Sequence, residues 1–291
     1  MITSIHHVSI QVKDIAYAVR FYLALGLPVI PLSPAYAFVM TPNAGILLRH
    51  VPQAVPSQTD VHALGWRHLC IQVPDMNRAL GICENHAVTM LSSPVDLRTG
   101  HLYIYGRNPD ATLIEIEEVP YTPYHYPCWL GHIACVSHDV AQLKRFYVDF
   151  IGGDIVDPGP IGPNAAYDRV VGFSQTRLHP VWVKRLNLTI ELWQFVHPVS
   201  PARIQSTTAM AGYQSVGFVS DDIESDIHRC IHLGGTLIST STTHAQVTDC
   251  DMNYFDIYSA NHPLIMTHSP LLHPSLLTEN AAHWRPRSQQ S

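Results

Sequence analysis

The chain is short of charge. Asp, Glu, Lys and Arg make up 14% of its 291 residues against 46% hydrophobic ones, which leaves ample apolar side chain for a core and argues against disorder. Basic residues are scarcer still: the formal net charge is -6 and no basic stripe occurs, so nucleic acid is not an expected partner. No apolar run approaches the ~18 residues of a membrane span, so no membrane partner is expected either. There is no CxxC pair. The six cysteines (Cys70, Cys83, Cys128, Cys135, Cys230 and Cys250) are scattered, mostly inside apparent strands and helices, as expected of reduced thiols in the cytoplasm. Met1 runs straight into a strand pattern, which leaves no room for a signal peptide.

Histidine, by contrast, is abundant, with 19 residues. It is the commonest metal ligand and a frequent acid or base, so position has to decide its role. An internal repeat supplies the positions. "HVSIQVKDI" begins at His7, "HLCIQVPDM" at His68, "HIACVSHDV" at His132 and "SVGFVSDDI" at Ser215. Each run alternates like a half-buried strand, and its first residue lies seven before an aspartate: Asp14, Asp75, Asp139 or Asp222. The aspartate has the character of a helix N-cap, and a helical stretch follows it. Gly26, Gly152 and Gly234 stand where three of those helices should end. Further strands close the units at "GILLRHVP", "TLIEIEEVP", "LTIELWQF" and "PLIMTH", so each reads strand, helix, then about three strands.

Four such units in order resemble the vicinal oxygen chelate superfamily, which includes glyoxalase I, methylmalonyl-CoA epimerase and the extradiol dioxygenases. The resemblance covers nearly the whole chain. It implies an α+β fold of four βαβββ modules, paired into two cupped mixed β-sheets with helices on the outside, around a metal held by the first and last strands of the modules. Consecutive elements usually neighbour one another, which favours modules one and two as a metal-binding domain at 1–120. A Pro- and aromatic-rich linker would then span 121–130, a second domain 131–272, and a polar tail 273–291. A homo-oligomer is compatible with this organisation.

Strand parity orients the side chains. His7, Ser9 and Gln11 share one face, and Val8, Ile10 and Val12 the other, with His6 on the apolar side that packs on the helix. His68, Cys70 and Gln72 repeat the polar face. The shared "VP" of the closing strands sets Leu47 against Glu115. Sequential pairing therefore gives His7, His68 and Glu115 as metal ligands. Two histidines and one carboxylate suit non-haem Fe(II) with open positions. The third module offers His132 and Glu191, and the fourth Ser215 and Met266, an incomplete second set. The other pairing, one with four and two with three, would collect His68, Glu115, His132 and Glu191, the glyoxalase-like set. His68 and Glu115 belong to either.

"YGRNPDATLIE" places Tyr105 ten residues before Glu115, with Asn108-Pro109 between. This resembles the extradiol signature, in which the tyrosine hydrogen-bonds the metal-bound substrate oxygen. Two departures stand out: Ala111 replaces the usual glycine or proline, and Asp96 stands where the family places a histidine. Parity offers His101 in its stead, on one face with Tyr103 and Tyr105, as an acid or base. Arg49, two after Leu47, is a candidate anchor for a substrate carboxylate or phenolate. Trp66, two before His68, and Tyr103 are candidates for the substrate wall.

The resemblance thus implies an Fe(II) extradiol-type dioxygenase taking a small catechol-like or other bidentate substrate and dioxygen, with Mn, Zn, Ni or Co as other metals. The alternative is a redox-neutral isomerase, epimerase or lyase, favoured if two glutamates enter the ligand set. A non-catalytic binder, as among the drug-sequestering members, would lack ligands of this kind.

Overall fold

The computed structural model describes residues 1–56, 60–203 and 210–268; the expected tail at 273–291 lies outside them. Module one contains β1 (Ile2–Val12), α1 (Ile15–Ala24), β2 (Val29–Ser33), β3 (Tyr36–Met40) and β4 (Gly45–His50). Module two contains β5 (Gly65–Val73), α2 (Met76–Asn85), β6 (Thr89–Met90), β7 (Val95–Asp96), β8 (Leu102–Arg107) and β9 (Leu113–Glu118). Module three contains β10 (Trp129–Val136), α3 (Val140–Ile151), β11 (Asp154–Val156), α4 (Ala165–Val171), β12 (Arg177–Lys184) and β13 (Thr189–His197). Module four contains β14 (Gly212–Ser220), α5 (Ile223–His232), β15 (Thr236–Thr240), β16 (His244–Thr248) and β17 (Tyr254–Ser259), followed by α6 (Pro263–Thr267). No helix among the described residues is long and apolar enough to cross a membrane.

The four aspartates do cap helices. Each accepts a hydrogen bond from the backbone N–H three residues on, at Tyr17, Arg78, Gln142 and Ser225, which satisfies a donor the first turn leaves free. In every module the opening strand pairs in parallel with the closing one, and the helix makes the crossover.

Between modules, the expected sequential pairing is not the one found. One sheet runs β15-β16-β17-β14-β1-β4-β3-β2 and joins modules one and four; the other runs β11-β12-β13-β10-β5-β9-β8-β6 and joins two and three. The strands therefore do not divide at 1–120 and 131–272. Neighbour pairing holds for modules two and three, whose opening strands β5 and β10 lie antiparallel, and it leaves the outer modules only each other. The segment at 121–130 is consequently a connection within one sheet, and its last two residues already belong to β10. One apolar core runs behind both sheets.

Strict alternation also fails, at the same place in all four opening strands. The core-facing residues that flank the repeat position are three apart rather than two: Ile5 and Val8, Trp66 and Leu69, Leu130 and Ile133, Tyr213 and Val216. The register shifts at each of these places, as β-bulges do. Two consecutive residues then project into the cup. His6 accordingly joins His7 there instead of facing the helix, and both rings contact Phe38. Trp66 moves the opposite way. It packs in the core beside Tyr147 and donates its indole N–H to the Tyr254 carbonyl, so it does not line the cup with His68.

The closing strand of module four is β17, not the "PLIMTH" segment. Pro263 opens α6 there, with the His262 ring accepting from the Leu264 N–H. The position equivalent to Glu115 in this module is therefore Asp256 rather than Met266.

Candidate metal centre

Two modules contribute matching pairs of side chains. Glu115 on β9 lies opposite Cys70, two residues after His68; Glu191 on β13 lies opposite Ala134, two after His132. The antiparallel junction of β5 with β10, where His68 faces Ala134, then brings both pairs together. His132 Nε2 stands 2.8 Å from Glu115 Oε2 and 3.1 Å from Glu191 Oε2. His68 Nε2 stands 3.1 Å from Glu115 Oε2, 3.4 Å from Glu191 Oε2 and 3.2 Å from His132 Nε2. All four residues are buried.

These separations are what ligation demands. Donors about 2.1 Å from one cation stand about 3.0 Å apart at right angles and about 3.4 Å apart at tetrahedral angles. Glu115 Oε2 and Glu191 Oε2 are buried and accept no aligned hydrogen bond, so their lone pairs are free for a cation. Two imidazoles and two carboxylates also form a donor set that suits Zn, Fe, Co, Ni and Mn.

Burial opposes charge on these groups, but their mutual attraction outweighs it. Desolvation pushes the His132 pKa down; Glu191, Cys70 and Glu115 pull it well above the ordinary histidine value. Burial raises both glutamates, and His132 and His68 bring them below the ordinary carboxylate value. Without a cation the cluster is thus held as a histidinium–carboxylate network. A divalent ion would replace the proton.

Tyr105, directly across from Glu115, places its hydroxyl 3.4 Å from His68 Nε2. Burial, helped by Glu115 and Glu191, drives its pKa well above the usual phenol value, so it remains a neutral donor. Tyr103 lies across from Glu117 on the same face, and His101 Nδ1 meets Glu117 Oε1 at 2.5 Å. Trp193, two after Glu191, stacks edge-on against His68 at 5.5 Å and leaves its buried indole N–H without a hydrogen bond. Leu178, Phe195 and Val170 of α4 pack beyond it. The cup therefore has one polar arm, at His101 and Glu117, and one apolar arm, at Trp193, with the cluster between them. Glu117, Trp193 and Lys184 were not singled out from the sequence. Parity could have flagged the first two, since each lies two residues beyond a candidate ligand glutamate. Lys184 shares the face of Trp182, which pairs with Glu191.

Residues 4–116 match the family model of the Glyoxalase/Bleomycin resistance protein/Dioxygenase superfamily. The whole architecture is similar to glyoxalase I from Zea mays, with a TM-score of 0.64 and 15% identity over 88% of this chain and 92% of that one. It is also similar to a putative dioxygenase from Bacillus subtilis subsp. subtilis str. 168, with a TM-score of 0.60 and 14% identity over 99% and 95%. The family match thus covers the stretch of modules one and two, and the similarity of fold extends over the rest of the chain. At these identities the two structures speak for its fold alone. No curated protein sequence matches it.

Among the described residues, only one cup gathers four donors. His7, expected beside His68 and Glu115, lies in the other sheet, where its ring rests on Gly217 and its Nδ1 meets His6 Nδ1 at 2.8 Å. Leu47 and Asp256 occupy the positions of the two glutamates, and Ser215 that of the second histidine. Asp256 is taken up by Ser215 Oγ at 2.6 Å and His244 Nε2 at 2.8 Å. Arg49 pairs with Gln11 and Tyr36 in this same sheet and therefore does not flank the metal centre.

Proposed function

We propose that this chain is a metal-dependent, redox-neutral isomerase, epimerase or lyase acting on a small bidentate substrate next to a carbonyl. The convergence of His68, Glu115, His132 and Glu191 carries this reading. A six-coordinate cation held by these four side chains would keep two positions, enough for a chelating substrate and none for dioxygen beside it. A bound divalent cation supplies Lewis acidity toward a carbonyl oxygen. One of the two carboxylates, Glu115 or Glu191, would take a proton from the carbon beside that carbonyl and return it. Tyr105 donates a hydrogen bond to a substrate oxygen, His101 serves protons on the polar arm, and Tyr103 and Trp193 bound the cup. A cytoplasmic setting fits the six unpaired cysteines.

One observation favours the extradiol reading: Tyr105 stands across from Glu115 and beside His68, where a tyrosine would meet a metal-bound phenolate. Metal analysis with paired aerobic and anaerobic assays separates the two. Turnover of carbonyl substrates without oxygen, using Zn, Ni, Mn or Co, supports the first. Oxygen uptake with catechols and bound iron overturns it in favour of the second.

A further inference from the structure

A chain of hydrogen bonds runs beneath the polar arm of the cup, and its order is fixed by which groups only donate. Trp129 Nε1–H has no acceptor character, so the Gln72 atom 2.6 Å from it is the amide oxygen. The Gln72 amide nitrogen then faces Glu117 Oε2 at 2.8 Å, where the Cys70 thiol also donates at 3.4 Å. Glu117, an acceptor, presents its other oxygen to His101 Nδ1 at 2.5 Å. Two lone pairs cannot face each other at that distance, so His101 Nδ1 bears the proton. In the neutral ring Nε2 is then the bare nitrogen.

We propose that Trp129, Gln72 and Glu117 are positioning residues that lock His101 in its Nδ1–H tautomer, leaving Nε2 as proton acceptor for a substrate held at the metal centre. The proposal rests on the reading of that centre given above. Glu117 lies two residues beyond the ligand Glu115, about 7 Å along the strand. His101 therefore addresses a proton-bearing group of the substrate away from the chelated atoms, such as a hydroxyl, thiol or ammonium. Room for the chain comes from Gly131: a Cβ there would stand 2.9 Å from Gln72 Cγ and Cδ.

The test is two-bond proton–nitrogen correlation NMR of metal-free protein carrying 15N-labelled histidine, at mildly alkaline pH, with His101→Gln to assign the signal. The expected pattern for His101 is a pyrrole-type Nδ1, a pyridine-type Nε2 and an exchange-protected Nδ1–H proton. Gln72→Leu should lose the protection, and Glu117→Gln should lose it and move the proton to Nε2, the favoured site of a free imidazole. A wild-type ring protonated on Nε2 overturns the proposal without either variant, as does an unchanged pattern in Gln72→Leu and Glu117→Gln. Because no metal is present, the outcome is independent of metal content, whose failure would strike the reading of the centre instead.

Discussion

His68 and His132, 64 residues apart in the chain, hold their Nε2 atoms 3.2 Å from each other. Neither strand could place them so alone; the antiparallel seam of β5 and β10 does. Replacing any one of the four candidate ligands should therefore weaken the whole site. Glu191→Ala or His132→Ala is expected to lower metal affinity by more than the ~10–100-fold that loss of an outer partner costs. His7→Ala should leave it unchanged. Calorimetric titration with Zn or Co, with elemental analysis of the purified proteins, checks both.

Tyr105 is buried and its pKa is held far above the working range, so its proton stays on. Tyr105→Phe should lower turnover of the metal-loaded protein by about 100-fold. The basic limb of the pH profile should not move, because no phenolate is lost. Steady-state kinetics across pH compares the two proteins.

Gly217 and Gly131 each make room for a neighbour's side chain, but with different consequences. A Cβ at 217 would stand 2.6 Å from the buried His7 ring, which has nowhere to go. Gly217→Ala should cost about 1–3 kcal/mol in urea denaturation, with metal affinity intact. Gly131→Ala meets the more pliant Gln72, so it should cost less stability while releasing His101 from its fixed tautomer.

Asp249 accepts hydrogen bonds from Tyr147, Asn253 and the Asp251 N–H, yet burial still pushes its pKa up to about 6. In the unfolded chain it would titrate near the ordinary aspartate value. Between about pH 4 and 6 the folded state therefore binds the extra proton. Asp249 stabilises the fold fully below that window, and this contribution fades as pH rises through 6, by on the order of 3 kcal/mol. Urea denaturation of wild type and Asp249→Asn from pH 4 to 7 should show the wild type losing more stability than the variant over this interval.

Much of this was legible in the residues. The four aspartate caps and the crossover helices follow from local spacing, as do the closing strands of modules one to three, and they appear where the spacing puts them. Alternation also placed Tyr103 and Tyr105 on one face, across from Glu117 and Glu115. It misplaced His6 and Trp66, because a bulge inserts one residue without marking the composition of the strand. It missed Asp256, because "PLIMTH" shows a strand-like apolar run while Pro263 begins a helix.

The sequence by itself determined the modules, and in the first three of them which residues stand at the candidate ligand positions, since capping, turn and side-chain period act over a few residues. Only the tertiary structure decided which modules share a sheet. That choice depends on how opening strands far apart in the chain fit edge to edge over a common core, and no local pattern records it. It separated His7 from His68 and Glu115, brought in His132 and Glu191, and so exchanged an expected set of three candidate ligands for a cluster of four.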